Sequence, residues 1–106
     1  MAIETNLIAS TSSGSPTTNY TSSGDSAITT IFFCNTDSSN RDITVWIIPS
    51  GDTLADKHMI MKELTINACD TFAFGSERIL LSASDTVKAI ADTINKVSAV
   101  ISYTSI

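Results

Sequence analysis

Charged side chains are scarce in this sequence, and positively charged ones are the scarcest. Charged residues make up 16% of the 106 residues, and six Lys and Arg stand against eleven Asp and Glu, for a formal net charge of −5. So few cations cannot form the basic stripe that contacts a phosphate backbone. The composition therefore argues against direct nucleic-acid binding.

Histidine, glycine and cysteine are nearly absent, which limits the chemistry available. His58 is the single histidine and lies in a charged loop, where we expect a solvated side chain rather than a base. The four glycines fall in turn segments, so there is no phosphate-cradling loop. Cys34 and Cys69 lie in apolar patterns without metal-ligand spacing, which predicts two buried small hydrophobic residues. We therefore expect no catalytic residue, no metal, no cofactor and no enzymatic activity.

Long apolar runs are also missing. No run reaches the length of about 18 residues that a membrane span needs. The first residues lack the basic-then-apolar order of a signal peptide. The sequence thus predicts a protein made in the cytoplasm that does not insert into a membrane.

Short apolar runs, by contrast, are frequent, and turn residues separate them. Apolar residues make up 42% of the chain, and sixteen Ser and fifteen Thr add a composition that favours strands and turns. Ile43, Val45 and Ile47 alternate with their neighbours at the strand period of two. The sequence predicts an all-β fold, an antiparallel β-sandwich that is jelly-roll-like, with about eight or nine short strands in a single domain over 1–106. We place these strands at 2–9, 17–22, 27–35, 42–49, 58–67, 71–74, 78–81, 86–92 and 96–104.

Three segments of the chain need a separate interpretation. Residues 84–98 contain apolar residues at helical spacing, but their many β-branched residues favour two strands joined by a hairpin turn at 92–96. Residues 54–57 are predicted to form a single helical turn. The Ser-rich stretch 10–16 is predicted to be a loop, and 1–20 is a candidate extended arm that adds a strand to a neighbouring chain.

Two predicted strands carry more apolar surface than one core face needs. Residues 31–34 and 45–48 are apolar on successive positions, and therefore on both faces. A strand of a two-layer sandwich normally exposes one face to water, so either a loop or another protein covers the second face. We favour a protein interface, and its candidate residues are Ile3, Leu7, Tyr20, Phe32, Phe33, Trp46, Ile48, Met59, Met61 and Ile106.

Four stretches, in order along the chain, resemble small β-sandwich structural proteins of the virions of tailed bacteriophages, either capsid decoration or tail-associated proteins. The family pattern is a strand that ends in Cys-Asn-Thr, a polar turn, a strand of the type T-V-x-hydrophobic and a Gly loop. A strand and turn of the type L-x-I-x-A-x-D-T and a last hairpin complete it. The matching stretches are Asp25–Thr36, Ile43–Gly51, Leu64–Phe72 and Ile79–Ala89. Ser84 stands where the family more often has Gly.

The resemblance implies a non-enzymatic component of the phage particle. It favours a capsid decoration (cement) protein that stabilises the assembled shell as an oligomer, most simply a homotrimer, with the major capsid protein or other virion proteins as partners. The implied location is the virion, after synthesis in the host bacterial cytoplasm. The alternatives are a neck, tail or fibre-attachment component and a carbohydrate-binding module whose platform would include Trp46 and Tyr103.

Overall fold

Nine strands and one short helix account for the regular structure of the chain. The computed structural model describes residues 2–9, 11, 16–75 and 79–106. The elements are β1 (Ala2–Leu7), β2 (Thr17–Thr21), β3 (Ser26–Asn35), β4 (Arg41–Ile48), a 3₁₀ helix (Asp56–His58), β5 (Met59–Ile66), β6 (Thr71–Phe74), β7 (Ile79–Leu81), β8 (Thr86–Ala91) and β9 (Val97–Ser105).

The predicted all-β class is confirmed, and each predicted strand has its counterpart in the structure. The helical turn predicted at 54–57 is a 3₁₀ helix at Asp56–His58, which begins two residues later and ends one residue later. Of the predicted loop at 10–16, only Thr11 and Pro16 are among the described residues, and residue 78, the predicted start of β7, lies outside them.

The strands form two antiparallel sheets packed face to face. Sheet A has the order β1-β9-β3-β6, with β7 also paired to β3, and sheet B has the order β2-β8-β4-β5. β6 pairs with Ile31–Cys34 of β3 and β7 with Ser26–Ile28, so these two short strands together fill one position in the sheet. Pairs are nested along the chain, β1 with β9, β2 with β8, β3 with β6 and β7, and β4 with β5. This nesting gives the strand order of a jelly roll.

The connection at 92–96 differs from its prediction. β8 belongs to sheet B and β9 to sheet A, so the two-strand interpretation is confirmed, but the hairpin is wrong. The connection crosses the end of the sandwich, where the Asn95 amide donates to the Ile8 carbonyl. Composition identified a turn but could not show that its two flanking strands pair elsewhere.

The core lies between the sheets and follows the strand alternation. In β9, Val97, Ala99 and Ile101 are buried, while the residues between them are only half-buried. The facing strands of sheet B contribute in the same way, so one face of each sheet is apolar and enclosed. The buried cluster comprises Ile8, Tyr20, Ile28, Ile31, Phe33, Ile43, Val45, Met61, Ile66, Leu81, Val87, Ala89, Ala91, Val97, Ala99 and Ile101.

Three tight turns place their third residue at positive φ, as a type II turn requires. Gly51 occupies this position in one turn, at φ 84°, whereas Cys69 (φ 59°) and Ser84 (φ 70°) occupy it in the other two. In each turn the fourth residue's amide donates to the first residue's carbonyl; the pairs are Asp52 with Pro49, Asp70 with Asn67, and Asp85 with Ser82.

The turn explains why the prediction for the cysteines fails. Cys69 is exposed, because the left-handed position turns its side chain away from the strands, and Cys34 is half-buried on the face of β3 that points away from the core. Both thiols are free.

Asn35, the last residue of β3, joins three segments through its buried side-chain amide. Its Nδ2 donates to the carbonyls of Ser39 and Ile66 at 2.8 and 3.0 Å, and its Oδ1 accepts from the Asp37 amide at 3.0 Å. The side chain therefore ties the turn after β3 to the end of β5.

Asn35→Ala should lower the free energy of unfolding by about 3 kcal/mol, because it leaves several buried backbone groups without their partner. Chemical denaturation measures the change. Asn67→Ala, at an exposed position in the next turn, is the control and should change it by less than about 0.5 kcal/mol. Equal effects of the two substitutions would contradict the role assigned to Asn35.

Ser84→Gly should raise the free energy of unfolding by about 0.5 kcal/mol, because relief of the left-handed strain exceeds the entropy that glycine adds to the unfolded chain. Ser82→Gly, in the same turn but without positive φ, should lower it. Thermal unfolding of both variants checks the prediction, and a loss of stability in Ser84→Gly would refute it.

Candidate interaction surface

The face of sheet A that points away from the core is built from alternate positions of its strands; in β3 and β9 most of the residues between these positions are buried. The register aligns its side chains in rows across β1, β9, β3 and β6 or β7. We call the residues of these rows, given next, the outer face of sheet A. Its rows are Leu7, Ser98, Cys34 and Thr71; then Thr5, Val100, Phe32 and Ala73; then Ile3, Ser102 and Thr30; and then Thr104, Ala27 and Leu80, with Ile106 beside them.

None of these residues is acidic or basic. Several large apolar side chains among them stand in water: Ile3 is 63% exposed, Phe32 40%, Leu80 68% and Ile106 72%. Leu7 is a further large apolar side chain, 44% exposed, and the remaining positions carry smaller apolar, thiol or hydroxyl side chains. An uncharged face with several exposed large apolar side chains is typical of a surface that contacts another protein.

The outer face of sheet B has a different character. Thr44, Trp46 and Ile48 point outward from β4, yet all three are buried, with Trp46 only 6% exposed. The 3₁₀ helix of the connection between β4 and β5 packs against β4, and Thr44 Oγ1 accepts a hydrogen bond from the Glu63 amide of β5 at 3.1 Å. The uncovered part of this face is charged and carries Asp42, Glu63 and Lys88.

The ten candidate interface residues therefore divide into four groups. Ile3, Leu7, Phe32 and Ile106 are exposed, and all four belong to the outer face of sheet A; Met59 is half-buried in β5. Tyr20, Phe33 and Met61 belong to the core, and Trp46 and Ile48 lie beneath the β4–β5 connection. In the folded chain these last five present no surface to a partner, because strand alternation or a loop already covers them.

Sequence reasoning did not single out Val100, Leu80, Ala73 or Cys34 as contact residues. Val100 could have been found, because it lies between two inward-facing positions of a clearly alternating strand. Leu80 could not, because β7 is apolar at every position and its alternation is invisible.

Within the described chain, part of the 1–20 segment belongs to the sandwich rather than extending from it. β1 pairs with β9 over its whole length, and β2 pairs with β8. A reciprocal amide pair links the two strands: Asn19 Nδ2 donates to Asn6 Oδ1, and Asn6 Nδ2 donates to the Asn19 carbonyl. β1 nevertheless buries little, since five of its six residues are exposed.

The aromatic residues considered for a sugar platform are not arranged as one. Trp46 is buried, and Tyr103 stacks against Tyr20 with ring centroids 4.6 Å apart. Trp46 belongs to sheet B and Tyr103 to sheet A, so the two rings do not form one platform.

The acidic side chains of the described residues act mainly in turns. Asp85 accepts hydrogen bonds from the amides of Ser50 and Ser82, both at 2.8 Å, and so ties two loops together. His58 Nε2 lies 3.4 Å from Asp52 Oδ2 within the connection that covers β4. Among residues 2–9, 11, 16–75 and 79–106, no group of His, Cys, Asp and Glu is placed to hold a metal ion.

The helical content of the described chain is a single 3₁₀ turn. No helix in the described ranges has the length and apolar character needed to cross a membrane.

The Asp37 carboxylate forms the shortest ion pair among the described residues, with Arg41. Arg41 Nε donates to Asp37 Oδ2 at 2.9 Å, and the Ser38 amide donates to Oδ1 at 2.7 Å. These bonds, that of Arg41 first, hold the pKa of Asp37 below its usual value of 3.8.

The stabilisation from this pair should be complete above pH 3.8 and disappear as the pH falls through the lower folded pKa, because the unfolded chain then binds the proton more tightly. Asp37→Asn should therefore lower the melting temperature near about pH 7 but have little effect near about pH 2. Asp56→Asn, at an exposed position, is the matched control. A difference for Asp37→Asn that stays constant with pH would contradict the assignment.

Comparisons with known proteins add no family assignment. No protein-family model matches the chain, and no curated protein matches its sequence significantly.

Proposed function

We propose that this chain is a non-enzymatic structural protein of a phage virion, and that it acts as a capsid decoration (cement) protein that binds the assembled shell as an oligomer. The outer face of sheet A carries the proposal, because an uncharged face that leaves large apolar side chains in water indicates a chain that works in an assembly and not alone. The proposed partners are the major capsid protein or other virion proteins. The resemblance of the four stretches between Asp25 and Ala89 to virion proteins supports this choice.

The sandwich suits such a role because its action is binding alone. A protein that binds the assembled shell and not its free subunits stabilises the shell by mass action, and the effect is multiplied over many sites. Copies joined in an oligomer, for which the resemblance favours a trimer, gain further affinity through effective concentration. The rigid antiparallel framework keeps the contact surface formed before binding, which lowers the entropic cost of association.

A location in the neck, tail or fibre attachment is the second proposal within the same structural class. The same uncharged face could serve there, and the resemblance includes tail-associated proteins. The two locations differ in stoichiometry, since a decoration protein accompanies every part of the shell and a tail component follows the symmetry of the tail.

Quantitative mass spectrometry of purified phage particles tests the proposal. For a decoration protein we expect a copy number comparable with that of the major capsid protein. A small multiple of the tail symmetry would move the protein to the tail, and its absence from the particle would refute both locations.

A further inference from the structure

We infer that the outer face of sheet A is an interface between copies of this chain. The inference rests on the proposed function only in treating the chain as an oligomer. It adds the face that is used and the partner that covers it, a second copy.

Charge supports self-association through this face. Each copy carries a net charge of −5, so two copies repel each other in solution. The side chains of the outer face of sheet A, as its described residues define it, carry no charge, so burying them between copies removes no ionised side chain from water. The outer face of sheet B would bring Asp42 and Glu63 of one copy towards those of another. That face also carries Lys88, and burying any of these charged side chains between copies costs solvation that the uncharged face of sheet A does not lose.

The size of the face is sufficient for a specific interface. Four strand positions spaced by about 4.8 Å, with nine or ten residues in β9 and β3 at about 3.3 Å each, give a face of about 19 by 30 Å. This amounts to about 600 Å² per copy, which reaches the lower limit of stable protein interfaces. Side-chain relief increases the area further.

The shape of the face, with projecting side chains and a groove, also suits contact with the same face of a second copy. Phe32 and Leu80 project from β3 and β7, and a groove of about 380 Å³ lies beside Leu80. Its lining is apolar or hydroxyl-bearing: Ala27, Ile28, Thr29, Gly75, Leu80, Thr104 and Ile106. Projecting side chains and a groove on one surface allow the face to meet its own copy across a two-fold axis, so the inference predicts a dimer through this face and not the trimer that the resemblance favours.

Light scattering coupled to size-exclusion chromatography tests the inference on the full chain. The unsubstituted protein should elute as an oligomer, with a mass that is a multiple of 11.3 kDa. Phe32→Asp places a carboxylate in the centre of the face and should abolish the oligomer at every concentration at which the unsubstituted protein forms it. A monomeric unsubstituted protein, or an oligomer unchanged by Phe32→Asp, would overturn the inference.

Ile60→Asp is the matched control. Ile60 has the same exposed fraction as Phe32, 40%, but lies on β5 of sheet B. It should leave the oligomer intact, and dissociation by both substitutions would show a non-specific effect of charge and would overturn the assignment to sheet A.

Two further measurements decide the matter if Phe32→Asp does not fold. The double variant Ile3→Asp, Leu7→Asp changes only exposed side chains of β1 and should dissociate the oligomer without altering the circular dichroism spectrum. In Cys69→Ser protein, Cys34 is the only thiol and lies on the face. Its alkylation should slow as protein concentration rises through the association range, and a rate independent of concentration would count against the interface.

Failure of the inference and failure of the proposed function give different results. An oligomer that depends on Phe32 but is absent from phage particles would refute the virion role and keep the interface. A monomer found in particles at the copy number of the capsid subunit would refute the interface and keep the virion role.

Discussion

A strand in a two-layer sandwich has two faces, and the opposite sheet can cover only one of them. The character of this protein's surface depends on what covers the outer face of each sheet, the face that points away from the core. β3 and β4 are the strands on which the constraint falls hardest, because both are apolar at successive positions and both lie inside their sheets. Since full burial of a large apolar side chain contributes roughly 1.5–3 kcal/mol, each uncovered one represents stabilisation that the isolated fold does not obtain.

The two sheets meet this constraint in different ways. In sheet B, the ten-residue connection after Ile48 folds back and encloses Trp46, and charged side chains occupy the rest of the face. In sheet A no connection plays this part among the described residues, and Phe32 stays at the surface with uncharged neighbours on both sides. The difference between the two outer faces lies in their side chains, because the strands of the two sheets are arranged in a similar way. The outer face of sheet B is therefore partly covered and partly charged, whereas the outer face of sheet A is uncharged and exposed.

The sequence was sufficient for the strands and insufficient for the surface. Alternation in 43–48 and 97–101 located β4 and β9 within a residue or so, because period two is visible wherever one face is buried. The neighbouring sequence did not show that Phe32 is exposed and Phe33 buried, because this depends on which face of β3 meets the core. Nor did it show that Trp46 is buried and Phe32 exposed, because this depends on a connection elsewhere in the chain. The hairpin predicted at 92–96 was wrong for a similar reason, because β8 and β9 each pair with strands far away in the chain. The burial predicted for Cys69 was wrong because a type II turn can place any residue at its third position at a cost of only about 1–2 kcal/mol. The burial predicted for Cys34 was wrong because the alternation of β3 points it away from the core.

The place of β9 between β1 and β3 has a consequence for how the protein is made. Ala2 pairs with Tyr103 and Asn35 with Val97, so neither neighbour of β9 completes its ladder before that strand leaves the ribosome. Until then one long edge of β3 is an open template for foreign strands. Such distant pairing also slows folding, because the chain loses its loop entropy before most contacts form. The nascent polypeptide is thus most prone to aggregate just before β9 is synthesised, because the apolar face of β3 and its unpaired edge are then accessible together.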